Sequence, residues 1–279
     1  MEHHITQELI EDYCASLAED EKAAGTIAKY RRDLTAFASY LDGQGVTKES
    51  TASWKNDLIS RYYAPRTINS MLAAVNSFFK HAGWNIRIKF LRVQHQLFRD
   101  ASREMTRAEY DRLLATARES GQERLALIME TLCATGIRIS ELRDITVEAA
   151  QRGKATVSLK GKIRTILLST KLCRKLLKYA KKQKIAAGEI FLTGSGKSIS
   201  RRQVWFELKR LCKAAGVEAS KVFPHNFRHL FATIFYRACK DIARLADVLG
   251  HSSIETTRIY LTVSGTDQAR QLDRLGLVS

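Results

Sequence analysis

The segment PHNFRHLFA, residues 224–232, sets His225 and Arg228 three residues apart behind a proline suited to a first helical turn. The two side chains then share one helix face. An imidazole beside a fixed guanidinium suits a phosphate, because the guanidinium binds two oxygens while the imidazole trades a proton. A surface or core histidine near an unrelated arginine fits the same spacing, and the missing carboxylates argue against a metal pair. In CATGIRISELRDI, residues 133–145, Gly136 stops a helix and Arg138 restarts the chain, with Glu141 three residues on. Glu141 either simply neutralises Arg138 or holds its fork toward a ligand. Lys160 and Lys162 flank Gly161 in a turn, where lysines are usually solvated, although a turn can carry an ammonium into a closing site. LGHSSIETTRIYL, residues 249–261, ends one helix, turns, and opens a short helix capped by Ser252 and Glu255, with His251 at its mouth. Tyr260 follows nine residues later, and the local sequence reads equally as a core aromatic or a reagent.

The elements that must carry these residues are mostly helical. Ile5, Leu9, Tyr13 and Leu17 recur every four residues, and Ile27, Tyr30, Leu34, Phe37 and Leu41 alternate steps of three and four. Trp54, Leu58 and Tyr62 mark a third helix. Pro65 opens a fourth, with Ile68, Met71, Leu72, Val75 and Phe79 inside. Residues 83–105 lack a sustained period and are rich in Arg and Lys, so they read as a basic linker, part of it extended. Thr106 and Glu109 fit a capping box that starts a second helical region. The β signal lies in ATVSL and RTILL, joined by Lys-Gly-Lys as a hairpin. On the helix opened by Pro224, the spacing turns Phe227, Leu230, Phe231 and Ile234 inward.

Length and charge bound the function. A chain of 279 residues exceeds the usual single domain, so two are expected. Its 46 Lys and Arg against 29 Asp and Glu leave a net charge of +17, which favours a polyanionic partner. The stretch 149–188 carries twelve Lys or Arg and no Asp or Glu, far from the interleaved signs of an ordinary surface. No apolar run reaches spanning length, no secretory leader or lipidation motif is present, and no basic amphipathic helix points to a membrane. Five scattered cysteines without a C-x-x-C pair fit free thiols in a reducing compartment rather than a zinc site. Lys29, Arg31, Arg32, Arg66 and Lys80 share the first helices, either as a solvated face or as a clamp on a nucleic-acid backbone.

Taken in order, Arg138 with Glu141, the basic hairpin, H-x-x-R-H at 225–229 and LGHSSIETTRIY at 249–260 resemble the tyrosine recombinases, the family of phage-type integrases and Xer-type resolvases. The resemblance covers residues 106–279, and TIAKYRRDLTAFASYL looks like the family's core-binding domain. It implies a mainly α fold: an N-terminal helical SAM-like domain over 1–85, a basic linker over 86–105, and a mostly helical catalytic domain with a small antiparallel sheet over 106–279. The implied reaction cuts and rejoins double-stranded DNA without metal, ATP or other cofactor, as in integration, excision or resolution. In that reaction Tyr260 attacks the scissile phosphate to form a 3′-phosphotyrosyl bond. Arg138 and Arg228 brace the non-bridging oxygens, His225 assists proton transfer, His251 hydrogen-bonds the phosphate, and Glu141 holds Arg138. Lys160 protonates the leaving 5′-oxygen, with Lys162 the alternative because this hairpin lacks the family's usual spacer. The chemistry is coherent, since a phenol with a pKa of about 10 needs cations and a base nearby.

The resemblance further implies DNA contacts by Lys29, Arg31, Arg32, Arg66, Lys162, Arg164, Arg201 and Arg202. It implies a homo-tetramer whose C-terminal tails, with Ala269, Leu272 and Leu275 as an apolar stripe, exchange between subunits, working on DNA in the cytoplasm at the nucleoid. Two other functions share parts of this pattern. A DNA-binding accessory protein would be expected to lack one of the catalytic side chains, whereas all are present. A type IB topoisomerase-like enzyme would share the covalent step but relax DNA as a monomer.

Overall fold

The computed structural model describes residues 3–93, 101–159, 162–260 and 273–274. The chain divides into two compact units, Met1–His95 and Gln96–Ser279.

The first unit packs α1 (Gln7–Glu19), α2 (Ala24–Leu41), α3 (Lys48–Ser60) and α4 (Pro65–His81) around one core. Thr6 and Thr47 cap α1 and α3 with their side chains, and Pro65 occupies the first turn of α4, so each start follows from local chemistry. Leu34, Phe37 and Leu41 of α2 meet Trp54 and Leu58 of α3 and Ile68, Leu72, Val75, Phe78 and Phe79 of α4. Two expectations shift. The buried side of α1 is Ile10, Tyr13, Cys14 and Leu17, while Leu9 is exposed, because the helical stripe advances with a three-residue step as well as four. Tyr62 lies past the end of α3, in a left-handed backbone conformation (φ 57°), and is 95% exposed.

The segment expected as the start of a linker is part of this unit. Ile88 and Leu91 present their backbones to α4, where the Asn76 amide brackets Ile88 (2.8 and 2.9 Å) and the Asn69 amide brackets Leu91 (2.8 and 2.9 Å). Each asparagine supplies one acceptor and one donor, standing in for a neighbouring strand. Ile86, Ile88 and Leu91 pack on the same core, so the extended residues need no periodicity of their own.

In the second unit α5 (Arg107–Glu119) starts at the Thr106–Glu109 capping box. The next helix, α6 (Glu123–Thr135), is buried on nearly all sides, and α5, α8 (Thr170–Lys182), α9 (Arg201–Ala215) and α10 (Pro224–Cys239) surround it. Its buried hydroxyls bond back along the helix, Thr131 to the Leu127 carbonyl at 2.7 Å and Thr135 to the Thr131 carbonyl at 2.6 Å. After the 3₁₀ turn Ile139–Asp144 and α7 (Val147–Arg152), strands β1 (Lys154–Leu159) and β2 (Lys162–Leu167) form an antiparallel pair with Val157 opposite Arg164. Ala155, Val157 and Ile166 turn inward; Ile163 and Leu167 face out. The described chain closes with α11 (Ile242–Leu249) and α12 (Ile254–Arg258). Ile234, expected inward on α10, is 40% exposed.

Candidate active site

Three chain breaks within the second unit bring the expected residues together. The first is the end of α6. Gly136 terminates it with φ +63°, and a Cβ there would lie 2.3 Å from the Phe231 ring, so glycine is required on both counts. Arg138 follows at the start of the 3₁₀ turn. Glu141, 2% exposed, accepts the Arg138 amide at 2.7 Å and its guanidinium at 3.0 Å. The same carboxylate accepts the Arg164 guanidinium at 2.6 Å. Burial pushes the Glu141 carboxyl up, but the Arg138 amide and the two guanidiniums outweigh it and hold it below the usual carboxylate range.

Arg164 differs from its expected place. The two-residue period of β2 turns it to the same face as Ile166, not toward solvent, and its guanidinium also donates to the Val248 carbonyl at 2.6 Å. A Cβ on Gly250 would lie 2.4 Å from the Arg164 Cδ, so Gly250 leaves room for the arginine to cross. Arg164 therefore ties the hairpin, the Arg138 turn and the end of α11 together, rather than reaching outward to DNA.

The second break is the start of α10. His225 lies at the exposed rim, and Arg228, one turn on, is 1% exposed. The Arg228 guanidinium donates to the carbonyls of Gly136 (2.5 Å) and Leu249 (2.7 Å) and to His251 Nε2 (2.8 Å). These acceptors are neutral, and among the described residues no carboxylate pairs with it. Burial first, then the charge of Arg138, lowers the Arg228 pKa to about 10, offset in part by the nearby Tyr260. A buried guanidinium without a counter-charge is costly unless an anion arrives to complete it.

The third break is the turn between α11 and α12. Gly250 (φ +64°) ends α11, and His251 hangs from it, its amide donating to the Ala246 carbonyl at 3.0 Å. The cap of α12 is Ser253, whose side chain accepts the Glu255 amide; Ser252, the expected cap, is one residue early. Thr257, fully buried, places its hydroxyl 2.8 Å from His251 Nδ1, while its carbonyl accepts the Tyr260 amide at 3.0 Å. Tyr260 is 4% exposed among Ala232, Leu245 and Leu249. Its ring stands edge-on to His229 at 4.7 Å and parallel to His251 at 6.0 Å. Tyr260 is thus packed as a core aromatic between two histidines, one of which is bonded to the site's central cation.

Cations dominate the field here. Burial, then Arg228, Arg138 and Arg164, lower the His251 pKa to about 4. His225 is lowered by the crowding of surrounding protein, then by Arg228, Arg138 and Arg201. Both rings are neutral at pH 7, beside a buried Arg228 that has no carboxylate partner among the described residues. The arrangement can bind a phosphate between Arg138 and Arg228 and hold a phenol against it.

Of the other expected residues, Arg201 and Arg202 are exposed at the start of α9, with Arg201 close enough to influence His225. Lys162 opens β2 opposite Leu159, and Lys160, expected to be the acid, lies outside the described residues. In the first unit Lys29, Arg32, Tyr63, Arg66 and Thr67 line a groove of about 460 Å³. Buried Asp33 pairs with both Lys29 and Arg32 at its floor. Arg31 instead pairs with Glu11 at 2.6 Å. Sequence reasoning gave no role to Thr257 or His229; the repeated Thr-Thr before Tyr260 and the second histidine of H-x-x-R-H were the available signals. No group of three or more His, Cys, Asp or Glu among the described residues is placed to hold a metal.

The family model described as Phage integrase, N-terminal SAM-like domain matches residues 10–85, and that of the Phage integrase family matches residues 103–266. A tyrosine recombinase XerC of Roseiflexus castenholzii is 31% identical, covering 91% of this chain and 88% of its own. A tyrosine recombinase XerA of Pyrococcus furiosus is 27% identical, covering 99% and 97%. Among solved structures, the fold matches XerH recombinase in a post-cleavage complex with palindromic difH substrate (TM-score 0.74, 18% identity, 96% and 83% covered). It also matches a lambda integrase tetramer bound to a Holliday junction (TM-score 0.70, 20% identity, 91% and 76% covered). With more than half its length matched by the integrase model and a relative 31% identical over most of both chains, the chain belongs to the phage integrase family of tyrosine recombinases.

Proposed function

We propose that Tyr260 attacks a DNA phosphate held by Arg138 and Arg228, leaving a 3′-phosphotyrosyl bond and a free 5′-hydroxyl. The packing of Tyr260 between His229 and His251, with His251 bonded to buried Arg228 at 2.8 Å, carries this reading, since it puts the nucleophile beside the cation that would face the phosphate. Two planar guanidiniums match the spread charge of the transition state better than point charges. His225, neutral and at the rim, takes the phenol proton. His251 hydrogen-bonds a non-bridging oxygen, Lys160 protonates the leaving oxygen, and Glu141 fixes Arg138. Because the phosphotyrosyl link keeps the energy of the broken ester, rejoining needs neither ATP nor metal.

Duplex DNA is further held by Lys29, Arg32 and Arg66 in the first unit and by Arg201, Arg202 and Lys162 in the second, the units corresponding to a core-binding domain and a catalytic domain. Four subunits assemble on two sites, with the tail beyond residue 261 passing to a neighbour; the lambda integrase tetramer on a Holliday junction supports the assembly. The reaction takes place on DNA in the cytoplasm, at the nucleoid.

The test uses a nicked duplex selected from random sequence by retention on the full-length protein. Wild-type protein forms a covalent adduct resistant to denaturant, and Tyr260→Phe forms none while binding the duplex equally. An adduct that persists in Tyr260→Phe moves the nucleophile elsewhere. Joined products from two differently marked duplexes separate strand exchange from simple relaxation.

A further inference from the structure

The hydrogen bonds around His251 conflict with its proposed task. An arginine has only donors, so His251 Nε2, 2.8 Å from an Arg228 nitrogen, must be an unprotonated acceptor. The proton of the neutral ring is then on Nδ1, donated to the Thr257 hydroxyl at 2.8 Å. In that form His251 has no N–H to offer a phosphate. The ring must present Nε2–H once DNA binds, and there are two ways to do so: gaining a second proton, or exchanging tautomers.

Three guanidiniums around the ring oppose a second positive charge, and one phosphodiester brings a single negative charge to offset them. The neutral tautomer with Nε2–H remains, and it needs a hydrogen-bond donor at Nδ1. A carbonyl or carboxylate at that position would lock the proton on Nδ1. A hydroxyl can accept in one state and donate in the other by rotating. Thr257 is fully buried, so water does not replace it, and its own carbonyl holds the Tyr260 amide. One residue thus fixes both the ring and the chain entering the nucleophile.

We propose that Thr257 is a positioning residue that lets His251 exchange tautomers when a phosphate draws Arg228 away from Nε2. The ring is neutral before and after the exchange: the half-buried ring turns out from Thr257, Nδ1 gives its proton to solvent and Nε2 takes one from it, and on return the Thr257 hydroxyl donates to Nδ1 where it had accepted. This role rests on the proposed contact of His251 with the phosphate. It is distinct from a packing role, because it depends on the hydroxyl and not on side-chain volume.

The experiment has two arms, both with the full-length protein and the selected nicked duplex. In the first, ring-¹⁵N-histidine protein carrying Tyr260→Phe, which keeps the DNA uncut, is followed by long-range ¹⁵N–¹H correlation, with His251 assigned by its loss in His251→Gln. The expected spectrum shows Nδ1–H in free protein and Nε2–H in the complex. A ring that keeps Nδ1–H, or carries both protons, in the complex overturns the proposal. In the second arm, single-turnover adduct formation is compared for Thr257→Val, of equal volume, and Thr257→Ser, which restores the hydroxyl. Thr257→Val should bind DNA with unchanged affinity yet form adduct roughly 10²-fold more slowly, and Thr257→Ser should recover most of the rate. Undiminished cleavage by Thr257→Val also overturns the proposal, and if that variant does not fold, the first arm decides. Wild-type protein that forms no adduct would count instead against the covalent chemistry itself.

Discussion

Arg228 has the most to lose from substitution, since one buried side chain joins the end of α6, the end of α11 and His251. A lysine in its place keeps the charge but has a single nitrogen, so it cannot span two carbonyls and a ring while facing a phosphate. Arg228→Lys should reduce single-turnover adduct formation by about 10²-fold or more, the size seen when one preorganised donor is removed, with duplex affinity much less affected. The histidines make a separate prediction in pH. A folded pKa of about 4 against 6.5 for the free side chain means the unfolded chain binds more protons than the folded one between those values. Stability of the DNA-free protein should therefore fall as pH drops through that window, above the range where the depressed Glu141 carboxyl contributes its own loss. His251→Gln, which does not titrate, should flatten the fall in melting temperature between pH 6.5 and 4. A fall of the same steepness in that variant would place the titrating group elsewhere.

At the scale of elements, the hairpin is joined to the site through Arg164. Removing its guanidinium leaves Glu141 buried with one charged partner instead of two and frees the Val248 carbonyl. Arg164→Ala should cost about 3 kcal/mol in denaturant unfolding, as for other broken buried pairs. In a double-mutant cycle with Glu141→Gln, a coupling above about 1 kcal/mol is expected, read from the same unfolding curves. Arg164 also shows where sequence reading stops. The motifs flanking Arg138, His225, Arg228, His251 and Tyr260 were legible because each depends on neighbours within a few residues. Arg164 reaches Val248 across 84 positions, and its inward direction follows only once the strand register is known. Thr257 was hidden for a similar reason: a buried threonine beside another threonine gives no sign of which one meets a ring. Residues 86–91 escaped notice because their order comes from Asn69 and Asn76, not from a pattern of their own. Tyr62 misled in the opposite way, continuing a helical spacing after the helix had ended.

For the whole molecule, the net charge of +17 gains meaning only after the cations already paired inside the protein are set aside. Arg31 is held by Glu11, Lys175 by Glu130 and Lys182 by Glu123, and Arg164 points inward. Arg32, 75% exposed at its side chain despite a 3.6 Å approach to Asp33, and exposed Arg66 are in a different position, at the edge of one groove. Each cation that replaces a condensed counterion on duplex DNA adds about 0.9 to the slope of log affinity against log salt. Arg32→Ala with Arg66→Ala should lower that slope by about two when binding of the selected duplex is measured from 50 to 200 mM salt. Arg31→Ala removes one formal charge against two in the double variant, yet its guanidinium already has a partner, so the slope should stay near that of the wild type. A loss in Arg31→Ala of half that in the double variant would mean that binding responds to total charge alone. A loss confined to Arg32 and Arg66 would mean that the groove, not the overall surplus, meets the backbone.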